Sequence, residues 1–367
     1  MNTPPSKHEC ERTVGLYRVG VIGLGHIGAG RDLTSVPARL GTLMPHSHMA
    51  AVLASPSLEL VAVCDSNLRH VERCVSDWAI AERDCRQYSD YREMLTDGDL
   101  DIVTVAVPDD LHAEVVVAAA ASGVQGILCE KPLATTVSDA TAAVSACKAS
   151  AVSLLVNHTR RWIPPYVLAR EAIASGAIGD LDHIIASFGG PRAMLFRNGS
   201  HLVDAIGFFS QSEPEWLSAR LDDDHADYPP RYAGDGGTDP STDPGVTAII
   251  KMKNGVRGML HLSKGAIATF ECDLVGSKGR LRLGSDASEL WRQSASGDFS
   301  ITAFRAPVTT RADTLAALEE LASAVARGGA LLSSSGADGL QAVEILVACL
   351  QSNALGGAPI IWPISDR

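Results

Sequence analysis

The strongest constraint on this chain is a short glycine pattern at the end of an apolar run. Tyr17–Gly23 reads YRVGVIG, a strand, and leads into Gly23-Leu24-Gly25-His26-Ile27-Gly28. G-x-G-x-x-G between a strand and a helix is the turn that wraps a dinucleotide pyrophosphate. The first glycine permits the tight turn, the second lets phosphate approach the backbone, and the third lets helix and strand pack closely. Free N–H groups at the helix start then hold the anion, with His26 and Ile27 in contact with it. Alone the pattern is weak, because many strand-to-helix loops contain glycines; the strand before it supplies the required context.

Asp65 closes a second apolar strand, Leu58–Cys64, with Ser66 beside it. A carboxylate there accepts from ribose hydroxyls and repels a 2′-phosphate, so NAD is expected and NADP disfavoured. Asp65 lies 37 positions after Gly28, against about 20 in the usual spacing. The excess falls on Arg31–Pro45, an insertion that either covers substrate or decorates the surface.

Strands and helices alternate through the first half. Pro45–Ala54 reads as the end of a helix, Asp101–Val107 as a strand, and Leu111–Ser122 as a helix closed by Gly123. Gly126–Cys129 is a buried strand, Ser138 caps a helix running to about Lys148, and Ser153–Val156 is the next strand. Such alternation predicts a parallel sheet covered by helices on both faces. The second half differs. Asp182–Phe188, Val246–Met252, Gly258–Ser263, Thr269–Val275 and Arg280–Leu283 are joined by turns such as Lys253-Asn254-Gly255, so that sheet is predicted to be largely antiparallel. Leu221–Pro244, rich in Asp, Pro and Gly, reads as a mobile loop. Helices Asp313–Arg327 and Asp338–Ala354 follow, then a strand-like Pro359–Trp362.

With 367 residues, at roughly 100–200 per domain, the chain divides into two domains. The predicted class is α/β: a loose arm at 1–15, a Rossmann dinucleotide-binding domain at 16–155, and a substrate-binding and oligomerisation domain at 156–367. The end of the chain can pack back on the first domain. A net charge of −12 argues against nucleic acid. The eight cysteines have no CxxC spacing, and reduced cytosolic thiols are expected. The first residues are polar, and no apolar stretch reaches the roughly 20 residues of a membrane span. The chain is therefore expected to be cytoplasmic, with no membrane partner. His46-Ser47-His48 lacks companion acids, so it reads as a helix entry and no metal is expected.

Glu130 and Lys131 follow the buried strand in Cys129-Glu130-Lys131-Pro132-Leu133. A charged pair at the carboxyl end of a parallel strand faces the ligand crevice; the alternative is a surface ion pair. Val107, Pro108 and His112 line the nicotinamide side of the cleft or serve structure alone.

Taken together, GLGHIG, AVPDDLH at 106–112, LCEKPLA at 128–134, RRWIP at 160–164 and the tail SGADGLQAVEILVACLQSNALGGAPI carry a resemblance. The chain resembles the glucose–fructose oxidoreductase, inositol dehydrogenase and rhizopine-catabolism family, written Gfo/Idh/MocA, from about residue 17 to 363. The resemblance implies a large open sheet in the second domain, which commonly forms oligomer contacts, hence a homodimer or homotetramer. It places the family's catalytic lysine at Lys131, a cofactor contact at Glu130 and Arg161, and a catalytic histidine at His201. The resemblance also implies that Arg160, Arg161 and Trp162 contribute to the cofactor and substrate pocket, with Arg161 the better candidate and a solvated arginine the alternative for Arg160. The family stretch D-x-G-x-H-x-x-D is here Arg197-Asn198-Gly199-Ser200-His201-Leu202-Val203-Asp204. Arg197 stands where the first acid would be. Asn198 can substitute as a hydrogen-bonding group, and Arg197 can recognise an anion or fold away. Substrate contacts are expected from Lys131, Arg197, Asn198, His201 and Asp204.

The implied activity is hydride exchange between nicotinamide and a ring hydroxyl of a sugar, cyclitol or related polyol. Histidine, with an ordinary pKa near 6.5, suits the accompanying proton transfer. A lysine ammonium stabilises the developing alkoxide. Two alternatives stay open: a glycosidase that oxidises its substrate transiently, and a regulator that binds the dinucleotide without turnover.

Overall fold

The structure, a computed structural model, describes residues 16–31, 47–97, 99–284, 287–294, 296–307, 309 and 311–366. The arm at 1–15 and nearly all of the Arg31–Pro45 insertion lie outside the described residues.

The first sheet is built from β1 (Tyr17–Ile22), β2 (Leu58–Cys64), β3 (Arg86–Tyr88), β4 (Ile102–Val105), β5 (Gly126–Cys129) and β6 (Ser153–Val156). The helices between them are α1 (His26–Ala29), α2 (His48–Ala54), α3 (Leu68–Asp77), α4 (Tyr91–Thr96), α5 (His112–Ala121) and α6 (Val137–Ala149). The order is β3-β2-β1-β4-β5-β6, and every pairing is parallel. All four residues of β4 and of β5 are buried, as strands covered on both faces require. The chain reverses its direction of travel across the sheet between β1 and β4, which opens a crevice at their carboxyl ends.

Helix ends differ from the sequence reading in ways that caps explain. The α6 cap is Thr136, not Ser138, because Thr136 is extended and its side chain accepts from Asp139 N. At α2, Ser47 is the cap, so 48–54 is a whole short helix rather than the tail of a longer one.

The second domain holds α7 (Pro164–Ala174), β7 (Leu181–Gly189), α8 (Ser200–Ser210), β8 (Pro214–Leu221), β9 (Val246–Met252), β10 (Arg257–Ser263) and β11 (Phe270–Gly276). It continues through β12 (Gly279–Leu283), β13 (Ser288–Gln293), β14 (Phe299–Ala303), α9 (Asp313–Ala326), α10 (Gly336–Ala354) and β15 (Ile360–Ile361). Its sheet runs β14-β13-β12-β11-β7-β10-β9-β8-β15, antiparallel except for β7 with β10. β9 and β10 alternate buried and exposed residues, since α8 and α10 cover one face only. The open face shows Ile249 and Met259.

α9 leaves the second domain and packs on the first sheet. Val325 and Leu321 lie 3.0 and 3.2 Å from where Gly126 of β5 would carry a Cβ. α10 starts at a capping box, Ser335 with Asp338, worth about 1 kcal/mol.

The segment Leu221–Pro244, expected to be a mobile loop, carries hydrogen bonds to its own aspartates. Asp235 accepts from Thr238 N at 2.9 Å and Asp239 N at 2.8 Å, and Asp222 accepts from Gly245 N at 2.9 Å. Carboxylates that capture backbone N–H groups turn a polar run into defined turns. These turns lay Gly236–Thr238 over the crevice.

Candidate active site

A cleft of about 800 Å³ opens at the carboxyl ends of β1, β2 and β4. Its floor is the glycine loop, and each glycine has a separate reason. Gly23 has φ +89°, and a Cβ there would sit 2.4 Å from Ala106 O. A Cβ on Gly28 would sit 1.9 Å from Gly23 O, so only glycine lets α1 close on the strand. Gly25 has nothing within 4 Å of that position; it faces open space inside the cleft. A side chain at Gly25 would fill the space that a pyrophosphate needs. His26 and Ile27 line the cleft beside it.

Asp65 stands at the end of β2 on the same cleft, next to Ser66. Its Oδ2 accepts from Leu24 N at 2.7 Å and lies 3.0 Å from His70 Nδ1; its Oδ1 accepts from Asn67 N at 2.8 Å. Three of the carboxylate's roughly four acceptor positions are then used, and one remains for a hydroxyl. This donor set, the open space at Gly25 and the length of the cleft fit a dinucleotide. Val107, Pro108 and His112 line the opposite wall. The His112 ring is clamped between Pro132 O at 2.6 Å and Val107 O at 3.0 Å.

Glu130 lines the inner end of this cleft, and Lys131 follows it in the turn after β5, behind the cleft-lining residues. Burial pushes the Glu130 carboxyl up, but His48 at 3.0 Å, the Lys131 charge and Asn157 Nδ2 at 2.6 Å together outweigh it and hold the group at about 2. Glu130 is thus a fixed anion that anchors the turn. Lys131 is 7% exposed, and its Nζ donates to Arg197 O at 2.8 Å. Burial, then the Arg197 charge, pushes its ammonium down to about 8, against the pull of Glu130 and Asp109. It remains protonated at neutral pH.

The second domain meets Lys131 through a π-helical turn, Leu195–Gly199, that opens α8. Asp243 pins the turn by accepting from Phe196 N and Arg197 N, each at 3.1 Å. His201 sits one residue into α8, 8% exposed, and its buried Nδ1 has no partner. Burial first, then the charges of Arg160, Lys131, His158 and Arg197, hold its imidazole well below the ordinary 6.5. The ring is neutral at pH 7, able to take a proton. Arg197 lines the cleft, and its Nη1 lies 3.0 Å from Oδ1 of the fully buried Asp109 in the first domain. Gly237, at φ +87°, lies over this pair: a Cβ there would be 2.8 Å from Arg197 Cδ and 2.9 Å from Asp109 Oδ2.

Three expected site residues are placed elsewhere. Arg161, expected at the cofactor, and Asp204, expected at substrate, pair with each other at 2.7–3.1 Å. Arg161 also reaches Asp338 at 3.0 Å and Ser333 O at 2.5 Å, and His158 Nδ1 lies 3.2 Å from Asp204. Each charge finds its complement inside this network, which ties α8, α10 and the 159–162 turn. Asn198 donates its Nδ2 to Arg192 O at 2.6 Å and is not among the cleft-lining residues. The short amide satisfies the backbone nearest to it. The sequence reads His48 only as a helix entry and gives no site role to Asp109, Asn157 or the glycine pair Gly236-Gly237. Only the last carried a local signal, two adjacent glycines in an acidic loop. Arg160, for which a solvated arginine is the alternative to a pocket role, is half-buried with its guanidinium 4.2 Å from the Phe270 ring.

A family described as "Oxidoreductase family, NAD-binding Rossmann fold" matches residues 17–158, and one described as "GFO/IDH/MocA C-terminal domain" matches 166–282. D-apiose dehydrogenase of Paraburkholderia graminis is 35% identical over 133 residues, 36% of this chain and 34% of that protein. Inositol 2-dehydrogenase of Salmonella paratyphi B is 28% identical over 164 residues, 44% of this chain and 43% of that protein. The matched stretches thus span less than half the length of these relatives. A levoglucosan dehydrogenase, solved in complex with NADH and levoglucosan, superposes with a TM-score of 0.72 at 21% identity. That superposition covers 95% of this chain and 99% of the other, a likeness of fold.

Proposed function

The chain belongs to the Gfo/Idh/MocA family of oxidoreductases, and on that premise we propose that it is an NAD-dependent dehydrogenase acting on a ring hydroxyl of a sugar, cyclitol or sugar derivative. The single observation that carries this reading is the convergence of Lys131 and His201. They come from different domains, yet Lys131 bonds the turn that opens the His201 helix, and its charge reaches His201. A bound nicotinamide supplies the hydride acceptor. His201 takes the hydroxyl proton, as a neutral imidazole with a buried, unpartnered nitrogen. Lys131 holds a positive charge against the oxygen as it becomes an alkoxide. Glu130, tied to His48 and Asn157, keeps the Lys131 turn in place.

NAD rather than NADP follows from Asp65, whose remaining acceptor position suits a ribose hydroxyl and whose charge opposes a phosphate. The working units are a dinucleotide domain at 16–155 and a substrate domain at 156–367, in a cytoplasmic homodimer or homotetramer. The open sheet face with exposed Ile249 and Met259 is the contact surface in this proposal, which light scattering tests directly. Neither a transient-oxidation glycosidase nor a non-catalytic regulator has an observation in its favour. A panel of sugars and cyclitols with NAD and with NADP, read by NADH or NADPH absorbance, tests the activity. Turnover with NAD and a polyol supports it; tight NAD binding with no polyol oxidised contradicts it.

A further inference from the structure

Two cations near the proposed site make no close ion pair, although the charges of Asp313 and Asp204 reach Arg160 and that of Asp243 reaches Lys264. Arg160 and Lys264 make no ion pair among the described residues, and the buried Arg160 Nε and Lys264 Nζ have no hydrogen-bond partner. They stand at one end of the second sheet. Arg160 lies on Phe270, which pairs with Phe188 of β7, and Lys264 follows Ser263, which pairs with Gly189 on the other side of β7. Arg197 joins them from the cleft wall, with only Nη1 committed, to Asp109. Of the nearby carboxylates, Glu130 is held by His48 and Asn157, Asp243 by the backbone of Phe196 and Arg197, and Asp204 by Arg161, while Asp313 acts on Arg160 through its charge without a close ion pair. Asp109 gives one oxygen to Arg197 and keeps the other unpartnered under Gly237.

An enclosed donor without an acceptor costs free energy in the ligand-free protein. Arg160 acts by its charge on Lys131 and His201, and Arg197 lines the cleft itself, so cations without a close ion pair bear on the place where a substrate's substituent would sit. Guanidinium groups also match the planar fork of a carboxylate or the oxygens of a phosphate. We propose that Arg160, Lys264 and Arg197 bind an anionic substituent of the substrate, so that the polyol oxidised is a sugar acid or a sugar phosphate. The proposal rests on the dehydrogenase reading for the word "oxidised" but not for the binding itself. A carboxylate or phosphate held there leaves a ring hydroxyl to reach Lys131 and His201. It also supplies negative charge to a pocket where four cationic or histidine side chains bear on His201.

The test is calorimetric binding of glucose, gluconate, glucuronate and glucose 6-phosphate to the NAD-loaded protein, followed by NADH formation with each. The two acids and the phosphate separate the two sources of charge. At least one anion is expected to bind about tenfold or more tighter than glucose, the scale of one or two charge-assisted hydrogen bonds. Lys264→Met and Arg160→Met are each expected to reduce that preference about tenfold. Lys264 is half-exposed, so its variant serves if the Arg160 variant fails to fold. Equal or tighter binding of glucose, no binding by any anion, or a preference unchanged in both variants overturns the inference. Anion binding without NADH formation keeps the inference and sinks the dehydrogenase reading. NADH formation at equal rates from neutral and anionic partners does the reverse.

Discussion

Arg160 and Arg161 are neighbours in one turn and meet opposite surroundings. Arg161 reaches two carboxylates, the buried Asp204 and the partly buried Asp338, and the Ser333 carbonyl. Arg160 has only a weak contact to Thr159 at 3.3 Å and the face of Phe270. The first network is closed and joins α8, α10 and the turn. The second has no close ion pair, and the Arg160 charge reaches Lys131 and His201. The difference separates two uses of buried charge in one small region. Complementary charges hold elements together, while a cation without a close ion pair shifts the pKa of its neighbours.

The largest expected effect breaks the closed network. Asp204→Ala leaves Arg161 and His158 buried without their shared anion, and losing one partner of a buried pair costs about 3–5 kcal/mol. Urea denaturation is expected to show a loss of that order. Arg160→Met removes a cation that has no close ion pair and is expected to leave stability equal or higher. Similar losses in both variants would erase the distinction between the two arginines.

Next in size is Lys131→Ala. Removing one preorganised charge from the site lowers turnover by about 10²–10³, while circular dichroism and NAD affinity stay near those of the wild type. Turnover within a few-fold of wild type would make Lys131 an ordinary buried cation of the closed kind.

A smaller effect is expected at the other end of the cleft. Asp65→Ser removes a charged acceptor and the repulsion of a 2′-phosphate. The NAD over NADP preference should fall about tenfold to a hundredfold, the range of a hydrogen bond to a charged group. Titration of both cofactors measures it, and an unchanged ratio would show that Asp65 serves only Leu24, Asn67 and His70.

Much of this was legible in the chain. The glycine loop, β2 with Asp65 and the Glu130-Lys131 turn all sit on long apolar periodic runs, where pattern and burial agree. β13 and β14 were not foreseen, because a solvated edge strand carries no apolar signal: all five β14 residues are exposed. Asp109 and Arg197 are 88 positions apart, and nothing local announces their pairing. Arg161 and Asp204 were misplaced for the same reason, since the Asp338 that completes their network lies on α10. Asn198 shows the limit of motif matching: position is inherited with the turn, but the direction of a side chain follows its nearest unsatisfied backbone group.

The central claim is that His201 acts as a neutral base beside a charged Lys131. The pH dependence of kcat/KM for polyol oxidation tests it most directly. His201 is held well below 6.5, so the rate should stay level on the acid side of neutrality and fall only well below pH 6.5. Lys131 loses its proton as pH rises through about 8, so the rate should fall there too. Lys131→Arg should carry the alkaline limb out of range, and His201→Asn should abolish the acid limb. Arg197→Asp, which removes one depressing charge, should raise that limb. A wild-type profile with no alkaline fall near 8, or an acid limb that persists in His201→Asn, would contradict the account.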